Sequence, residues 1–204
     1  MSDKTIWVLA GTNGAGKSSI GGAALLSAGL ELYNPDQITR DILRVYPDRS
    51  PEQANAEAWQ RGTDLLRAAI AESHNFAFET TLGGDTITNL LDSAIQKGLA
   101  VQMWYCALTS PELHIQRVRA RVKRGGHDIP EGKIRERYDA SRRNLIRLIP
   151  GLATLRLYDN SEEARNAPRP RLILATAYGR AVNVDIANVP AWAKPIVAAA
   201  MIDI

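Results

Sequence analysis

Residues 7–19 read WVLAGTNGAGKSS, and this stretch decides the fold. The apolar segment Ile6–Ala10 leads into Gly11–Ser18, which fits the pattern G-x-x-x-x-G-K-[ST] completely. We predict a strand, a phosphate-binding loop and a helix from about Gly16 to Ala28. Glycines let the backbone N–H groups of such a loop converge on a phosphate, and the positive end of the helix faces the same anion. The loop therefore predicts binding of a nucleoside triphosphate.

Individual residues of this loop have expected roles. Lys17 reaches the β- and γ-phosphates of the nucleotide, and the Ser18 hydroxyl binds Mg²⁺. The predicted cofactors are a nucleoside triphosphate, which the absence of GTPase motifs described below indicates to be ATP, and Mg²⁺. The predicted nucleotide-binding residues are Gly11, Thr12, Asn13, Gly14, Ala15, Gly16, Lys17, Ser18 and Ser19.

Apolar strand segments alternate with helical segments along the chain, which predicts an α/β fold with a mostly parallel sheet flanked by helices. The five predicted strands are Ile6–Ala10, Leu30–Tyr33, Phe76–Glu79, Leu99–Leu108 and Leu155–Asp159. A small C-terminal β extension is predicted at Arg171–Ala175 and Arg180–Asp185, followed by a short helix.

The helices between these strands carry recognisable start signals. Ser50 is followed by Pro51 and Gln53, a combination typical of a capped helix N-terminus. Besides the loop helix, one helix is predicted to start near Asp36. The other predicted helices cover about Ser50–Ser73, Gly84–Lys97, Pro111–Lys123 and Pro130–Ile149. We expect one P-loop kinase domain over residues 1–204, with an Arg-rich helical lid at about residues 110–149.

Composition limits the class of protein. The 204 residues are 45% hydrophobic and 23% charged, which is typical of a globular domain. The N-terminus runs directly into the first strand, and no apolar run approaches the roughly 18 residues that a membrane span needs. Cys106 is the one cysteine, predicted to be a buried free thiol. We therefore expect a cytoplasmic protein without a signal peptide or a membrane partner.

Motifs outside the loop indicate which kind of P-loop protein this is. The guanine motif Asn-Lys-x-Asp and the switch motif Asp-x-x-Gly of GTPases are both absent from the sequence. The apolar-acidic motif of motor ATPases has only a weak counterpart, FAFE, ending at Glu79. What remains is the plan of a small-molecule kinase, with an acid after the second strand and an Arg-rich lid. Phosphoryl transfer needs mostly positioning and charge neutralisation, which those parts supply.

Acidic residues follow two of the predicted strands, at the sheet edge where ligands bind in open α/β folds. Asp36 is placed to orient a substrate hydroxyl and accept its proton. The alternative is that Asp36 only caps the next helix, since Asn-Pro-Asp is good turn chemistry. Arg40, one turn later, either pairs with Asp36 or touches the acceptor. Glu79 and Thr81 fall on one side of the third strand, where they suit hydrogen bonds to sugar hydroxyls or an amide. The alternative for Glu79 is a solvated strand-end acid.

The positive charge of the chain is concentrated in one region. Residues 117–147 contain eleven Lys or Arg and four Asp or Glu, whereas the whole chain carries a net charge of +3. Such a run is a solvated helix face, a nucleic-acid footprint or a clamp over phosphates. Tyr138 is the only aromatic residue inside it, which disfavours nucleic acid. Arginine is preferred over lysine for phosphate because its planar fork binds two oxygens at once, so we predict that arginines of the lid neutralise the migrating phosphoryl group. We also predict that His127 is structural.

Five segments together resemble the zeta toxin family of P-loop kinases. They are GTNGAGKSS, NPDQITR, FAFETTLGG, RVKRGGHDIPEGKIRERYDASRRNL and LYDNS, in that order within about residues 5–162. The resemblance implies ATP-dependent phosphorylation of a sugar hydroxyl of UDP-N-acetylglucosamine, with Asp36 as the base. It also implies that Glu79 and Thr81 contact the sugar, that LYDNS lies near adenine, and that an antitoxin protein is a possible partner. The lid arginines that would hold phosphates are Arg121, Arg124 and Arg137.

One position departs from the family pattern. An Arg closely follows the Glu-x-Thr unit in the better-known toxins, whereas this chain has Gly83 there. A kinase for a nucleoside, an antibiotic or a simple sugar therefore stays open as the second interpretation. A nucleic-acid-end kinase or binder, and a nucleotide-binding module without turnover, are the remaining alternatives.

Overall fold

A single sheet runs through the part of the chain that the computed structural model describes, which is residues 4–17, 20, 29, 31–126, 128–162 and 170–202. Its strands are β1 (Thr5–Ala10), β2 (Leu32–Tyr33), β3 (Phe76–Thr80), β4 (Ala100–Ala107), β5 (Thr154–Asp159), β6 (Arg171–Ala177) and β7 (Arg180–Val184). The α-helices in the same residues are α1 (Pro35–Val45), α2 (Pro51–Glu72), α3 (Asp85–Gln96), α4 (Pro111–Val122), α5 (Glu131–Leu148) and α6 (Lys194–Met201).

The strand order is β2-β3-β1-β4-β5-β6-β7. The first five strands are parallel, as predicted, and β6 and β7 continue the sheet in antiparallel pairing. The sheet therefore has seven strands, and the prediction of five was wrong in number. A two-residue turn at Tyr178 and Gly179, both with positive φ, joins β6 to β7, and such a turn connects only antiparallel neighbours.

Helix starts follow the sequence signals. The Ser50 side chain accepts a hydrogen bond from the Gln53 backbone, and the Gln53 side chain accepts one from the Ser50 backbone, so the predicted cap of α2 is confirmed. The predicted strand at Leu30–Tyr33 is reduced to β2, with Leu30 outside the described residues. The predicted loop helix at about Gly16 to Ala28 also lies largely outside them.

The core fills both faces of the sheet. β1 and β4 are central strands, and most of their side chains are fully buried. The C-terminal segment contributes to the same core, because Trp192, Ile196 and Val197 are buried against it. None of the helices in the described part of the chain has the length and apolar character to cross a bilayer.

Helix α5 is fastened to the sheet by polar contacts as well as by apolar packing. The buried Ser141 hydroxyl donates to the Thr81 carbonyl at 2.7 Å and lies 2.9 Å from the Tyr105 hydroxyl. The Asn144 amide donates to the Leu82 carbonyl at 3.0 Å. These bonds fix α5 beside the carboxyl end of β3, where the predicted site lies.

Candidate functional site

The phosphate-binding loop leaves β1 at the carboxyl edge of the sheet. Gly11 donates its backbone N–H to the Thr80 carbonyl at 3.2 Å, which ties the loop to the end of β3. Gly11, Gly14 and Gly16 have φ values of +138°, +83° and +84°, a region that residues with a side chain rarely adopt. The described loop ends at Lys17, so Ser18 and Ser19 lie outside the described residues.

Neighbouring backbone and side chains leave no room for a Cβ atom at these glycines. At Gly11 it would lie 2.0 Å from the Cys106 carbonyl oxygen, and at Gly14 it would lie 2.7 Å from the His114 carbonyl oxygen. At Gly16 it would lie 2.3 Å from Asn160 Nδ2. The loop is therefore a bare backbone surface held between β4, α4 and the end of β5. Such a surface fits the phosphates of a nucleotide, which need close approach to backbone N–H groups.

Long-range hydrogen bonds hold the loop in this shape. His114 Nδ1 lies 2.8 Å from the Asn13 carbonyl oxygen, and Asn160 donates to the Ala15 carbonyl at 2.9 Å. The buried free thiol of Cys106, which the sequence predicted, lies 3.1 Å from the same Ala15 oxygen, and burial raises its pKa to about 12. The roles of His114 and Asn160 in supporting the loop were not predicted, because nothing in their local sequence indicates a contact across more than 100 residues.

His114 is a buried titratable group in contact with the loop. Burial is the main cause that lowers its pKa to about 4; the hydrogen bond to Asn13 opposes this, and the positive charge of Lys17 adds to it. The neutral ring carries its proton on Nδ1, because the carbonyl of Asn13 can only accept. Nε2 is buried without a hydrogen-bond partner among the described residues.

We expect His114 to make folding stability sensitive to pH. Its folded-state pKa lies below the unfolded value of about 6.5, so the unfolded chain takes up the proton first as the pH falls. The free energy of unfolding is therefore highest above pH 6.5 and falls as the pH is lowered towards 4. The expected decrease between pH 7 and pH 5 is roughly 2 kcal/mol. His114→Asn keeps a donor near Asn13 but cannot titrate, so its free energy of unfolding should fall less over that range.

Urea denaturation at pH 7 and pH 5 measures this difference. His74→Asn is the matched control, since His74 is an exposed histidine outside the loop. The control should keep the pH dependence of the wild type. Equal pH dependence in His114→Asn and wild type would contradict the assignment.

The acid after β2 is available for chemistry. Asn34, and not Asp36, is the N-cap of α1, because the Asn34 side chain accepts hydrogen bonds from the backbone of Asp36 and Gln37. The alternative in which Asp36 serves as the cap is therefore wrong. The Asp36 carboxylate lies 3.8 Å from the guanidinium of Arg121, which extends from the last turn of α4.

Lys17 and Glu79 form a buried ion pair between the loop and β3. Their side chains are 8% and 14% exposed, and Lys17 Nζ lies 3.4 Å from a Glu79 oxygen. Lys17 also donates to the Gly11 carbonyl at 2.7 Å, and the second Glu79 oxygen accepts from the Asn34 amide at 3.0 Å. Glu79 is therefore not a solvated strand-end acid.

A cavity of about 280 Å³ joins these groups. It is lined by charged and polar side chains and by an apolar wall in which aromatic rings are prominent. Of the predicted site residues, the lining contains Asn13, Lys17, Asp36, Glu79, Thr81 and Arg137. The phosphate loop, the acid and one lid arginine thus share one space.

The other predicted arginines are placed differently. Arg40 is exposed and donates to the Gln37 side chain, and Arg124 is exposed and donates to the Ala120 carbonyl of its own helix. Neither lines the cavity. Arg121 is near the site because its guanidinium pairs with the carboxylate of Asp36, which lines the cavity. His127, predicted to be structural, lies outside the described residues.

Gly83 is the position where the sequence departs from the toxins it resembles. A Cβ atom there would lie 2.6 Å from Arg137 Cγ, so any side chain would displace that residue. Arg137 in turn donates to the Asn13 side chain at 2.8 Å, and its guanidinium lies against the loop. In this chain the space beside Gly83 is therefore taken by an arginine from α5.

Comparison with known proteins places the chain in a family. The zeta toxin family profile matches residues 2–166, which include every segment of the site described above. The chain belongs to the zeta toxin family. An uncharacterised protein of Haemophilus influenzae is 31% identical over 151 residues, which cover 68% of this chain and all of that protein.

Solved structures resemble this zeta toxin family member in fold. A chain of the AvrRxo1-ORF1:AvrRxo1-ORF2 complex crystallised with ATP has a TM-score of 0.68 and 20% identity; the match covers 98% of this chain and 64% of that chain. This chain thus spans less than two thirds of that protein. The PezAT toxin–antitoxin system of Streptococcus pneumoniae gives a TM-score of 0.59 at 17% identity, covering 86% of this chain and 72% of that chain. Family and fold together support a nucleotide-dependent kinase.

Proposed function

We propose that this member of the zeta toxin family transfers the γ-phosphate of ATP to a sugar hydroxyl of UDP-N-acetylglucosamine. The observation that carries the proposal is the shared cavity: Asp36, which is not needed as a helix cap, lines the same space as Lys17 of the phosphate loop. A base beside a triphosphate site is the arrangement that phosphoryl transfer to a hydroxyl requires.

The loop residues bind the nucleotide in this proposal. Backbone N–H groups of the loop that follows Gly11 hold the phosphates, and Lys17 leaves the Gly11 carbonyl to contact the β- and γ-phosphates. Ser18 would hold Mg²⁺, which when bound supplies neutralising charge to the phosphate oxygens. The buried partners of the loop, His114 and Asn160, keep the N–H groups aimed at the anion.

Asp36 orients the acceptor hydroxyl and takes its proton as the phosphoryl group transfers. Arg137 neutralises the charge that develops on the migrating group, because its guanidinium already lies against the loop. Arg121 stays 3.8 Å from the Asp36 carboxylate and keeps that carboxylate directed into the site. Arg124 donates to its own helix and does not line the cavity, so its role at the phosphates stays a prediction.

The acceptor contacts are assigned to the end of β3. Glu79 and Thr81 both line the cavity and can hydrogen-bond sugar hydroxyls. Glu79 becomes available for this when Lys17 turns to the nucleotide. An antitoxin partner is proposed from the relatives, since PezAT is described as a toxin–antitoxin system.

Gly83 supports a second candidate, a kinase for another small hydroxyl compound. The better-known toxins carry an arginine near this position. This chain has Gly83 instead, and the side chain of Arg137 fills the adjacent space. In this second candidate the same groups would phosphorylate a nucleoside, an antibiotic or a simple sugar.

Mass spectrometry after incubation with Mg-ATP and UDP-N-acetylglucosamine tests the proposal. We expect the wild type to add one phosphate to the sugar nucleotide. Lys17→Ala should lower that rate by about 10²- to 10³-fold, because it removes a buried charge at the phosphates. Lys97→Ala, which changes an exposed lysine at the end of α3, should leave the rate unchanged.

Two results would overturn the proposal in different ways. ATP hydrolysis with an unmodified sugar nucleotide would exclude this acceptor and favour the second candidate. No turnover of ATP with any hydroxyl acceptor would exclude the kinase assignment itself.

A further inference from the structure

One wall of the cavity carries side chains that phosphoryl transfer does not use. Asn55, Trp59 and Thr63 lie on successive turns of α2, and all three line the cavity. Residues four apart share one face of a helix, so they form a stripe along this wall. Trp59 is 45% exposed, so a large part of its side chain is open to a ligand in the cavity.

Tyr33 of β2 holds this part of α2 in place. The Tyr33 hydroxyl donates to the Ala58 carbonyl at 2.6 Å, and a Cβ atom at Gly62 would lie 2.6 Å from the Tyr33 ring. The Tyr33 ring therefore lies directly against α2, because residue 62 has no side chain. Trp59 sits in the middle of a 22-residue helix that this contact fixes to the sheet. The backbone that carries Trp59 is therefore in place before any ligand arrives.

An exposed indole next to an amide has a recognisable chemistry. An indole face stacks on planar rings and contributes to affinity through contact that does not depend on hydrogen-bond direction. Asn55, one turn away, offers both a donor and an acceptor, which suits the edge of a ring that carries both. A simple polyol would leave the apolar wall formed by Trp59, Tyr33 and Phe78 in contact with water.

We infer that Trp59 is a specificity-determining residue, and that its indole stacks on a nucleobase of the acceptor while Asn55 hydrogen-bonds the edge of that base. The inference rests on the proposed kinase function, because it assigns a part of the acceptor to the same cavity. It separates the acceptor into a hydroxyl-bearing part at Asp36 and a planar part at α2.

Isothermal titration with UDP tests the stacking without catalysis. The protein is first saturated with Mg²⁺ and a non-hydrolysable ATP analogue, so that the diphosphate cannot occupy the phosphate loop. We expect Trp59→Leu to weaken UDP binding roughly tenfold, because leucine fills volume without a π-face. Trp59→Phe keeps a ring and should stay within about threefold of the wild type. Leu65→Ala, an exposed apolar change on α2 outside the cavity, should have no effect.

N-acetylglucosamine 1-phosphate is the second probe. A tenfold loss for UDP and an unchanged affinity for this sugar phosphate in Trp59→Leu would support the inference. Equal UDP affinity in Trp59→Leu and wild type, or absence of UDP binding in the wild type, would overturn it. A loss confined to the sugar phosphate would also overturn it, since the indole would then face the pyranose.

These outcomes are distinct from failure of the kinase assignment. Suppose that UDP binding depends on Trp59 but the protein transfers no phosphate to any hydroxyl acceptor. The stacking of Trp59 on the nucleobase would then be supported, and only the phosphoryl transfer would be excluded.

Discussion

Asp36→Asn is expected to lower kcat for phosphoryl transfer by about 10³-fold, because it removes the group that accepts the hydroxyl proton. Asparagine has nearly the same size, and the cap of α1 is provided by Asn34, so the fold of this segment should be retained. The KM for ATP should stay close to the wild-type value, since Lys17 and the loop glycines are untouched. Steady-state rates with Mg-ATP and the identified acceptor measure both constants.

Asp41→Asn provides the matched control for this change. Asp41 is on the same helix, where it contacts Gln37 and Arg44 and does not line the cavity. Its kcat should equal that of the wild type within a factor of two. A kcat for Asp36→Asn within tenfold of the wild type would exclude Asp36 as the base.

Gly11→Ala is expected to destabilise the protein by roughly 3–5 kcal/mol. The backbone at residue 11 has a φ of +138°, and the new methyl group would lie 2.0 Å from the carbonyl oxygen of Cys106. Since that oxygen belongs to the backbone of the central strand β4, no side-chain rotation relieves the overlap. Urea denaturation should show a lower midpoint with an unchanged slope.

Gly98→Ala separates backbone strain from overlap. Gly98 also has a positive φ, +81°, but no atom lies within 4 Å of the position that its Cβ would occupy. Its cost should be about 1 kcal/mol, which is the cost of a positive φ alone. If the two variants were equally stable, the tight contact between the loop and β4 would have no energetic weight.

Local sequence signals predicted the parts of the molecule that depend on short-range geometry. The spacing of Gly11, Gly16 and Lys17 predicted the loop, and the cap at Ser50 predicted the start of α2. Apolar runs located the strands within a few residues, because a buried parallel strand has to be apolar along its length. The placement of Asp36 and Glu79 at one sheet edge followed from their positions after parallel strands.

Contacts between distant parts of the chain were not predictable in this way. The seven-stranded sheet follows from the pairing of β6 with β5, which no local pattern encodes. Side-chain direction was also hidden: Arg124 and Arg137 both belong to the basic run, yet only Arg137 lines the cavity. The single domain over residues 1–204, the lid and the cytoplasmic location stay predictions, as do the roles of the site residues.

The contact between Gly83 and Arg137 has a consequence for affinity. A free arginine side chain loses rotamer entropy worth about 2 kcal/mol when a ligand immobilises it. Here the backbone of Gly83 confines the aliphatic part of Arg137, and Asn13 holds its guanidinium. The Arg137 side chain is thus ordered when the protein folds, so the phosphate group binds an arginine that is already in place. A larger residue at position 83 would displace Arg137 and leave its side chain free in the folded protein. The entropic cost of ordering that side chain would then be incurred on binding instead of on folding.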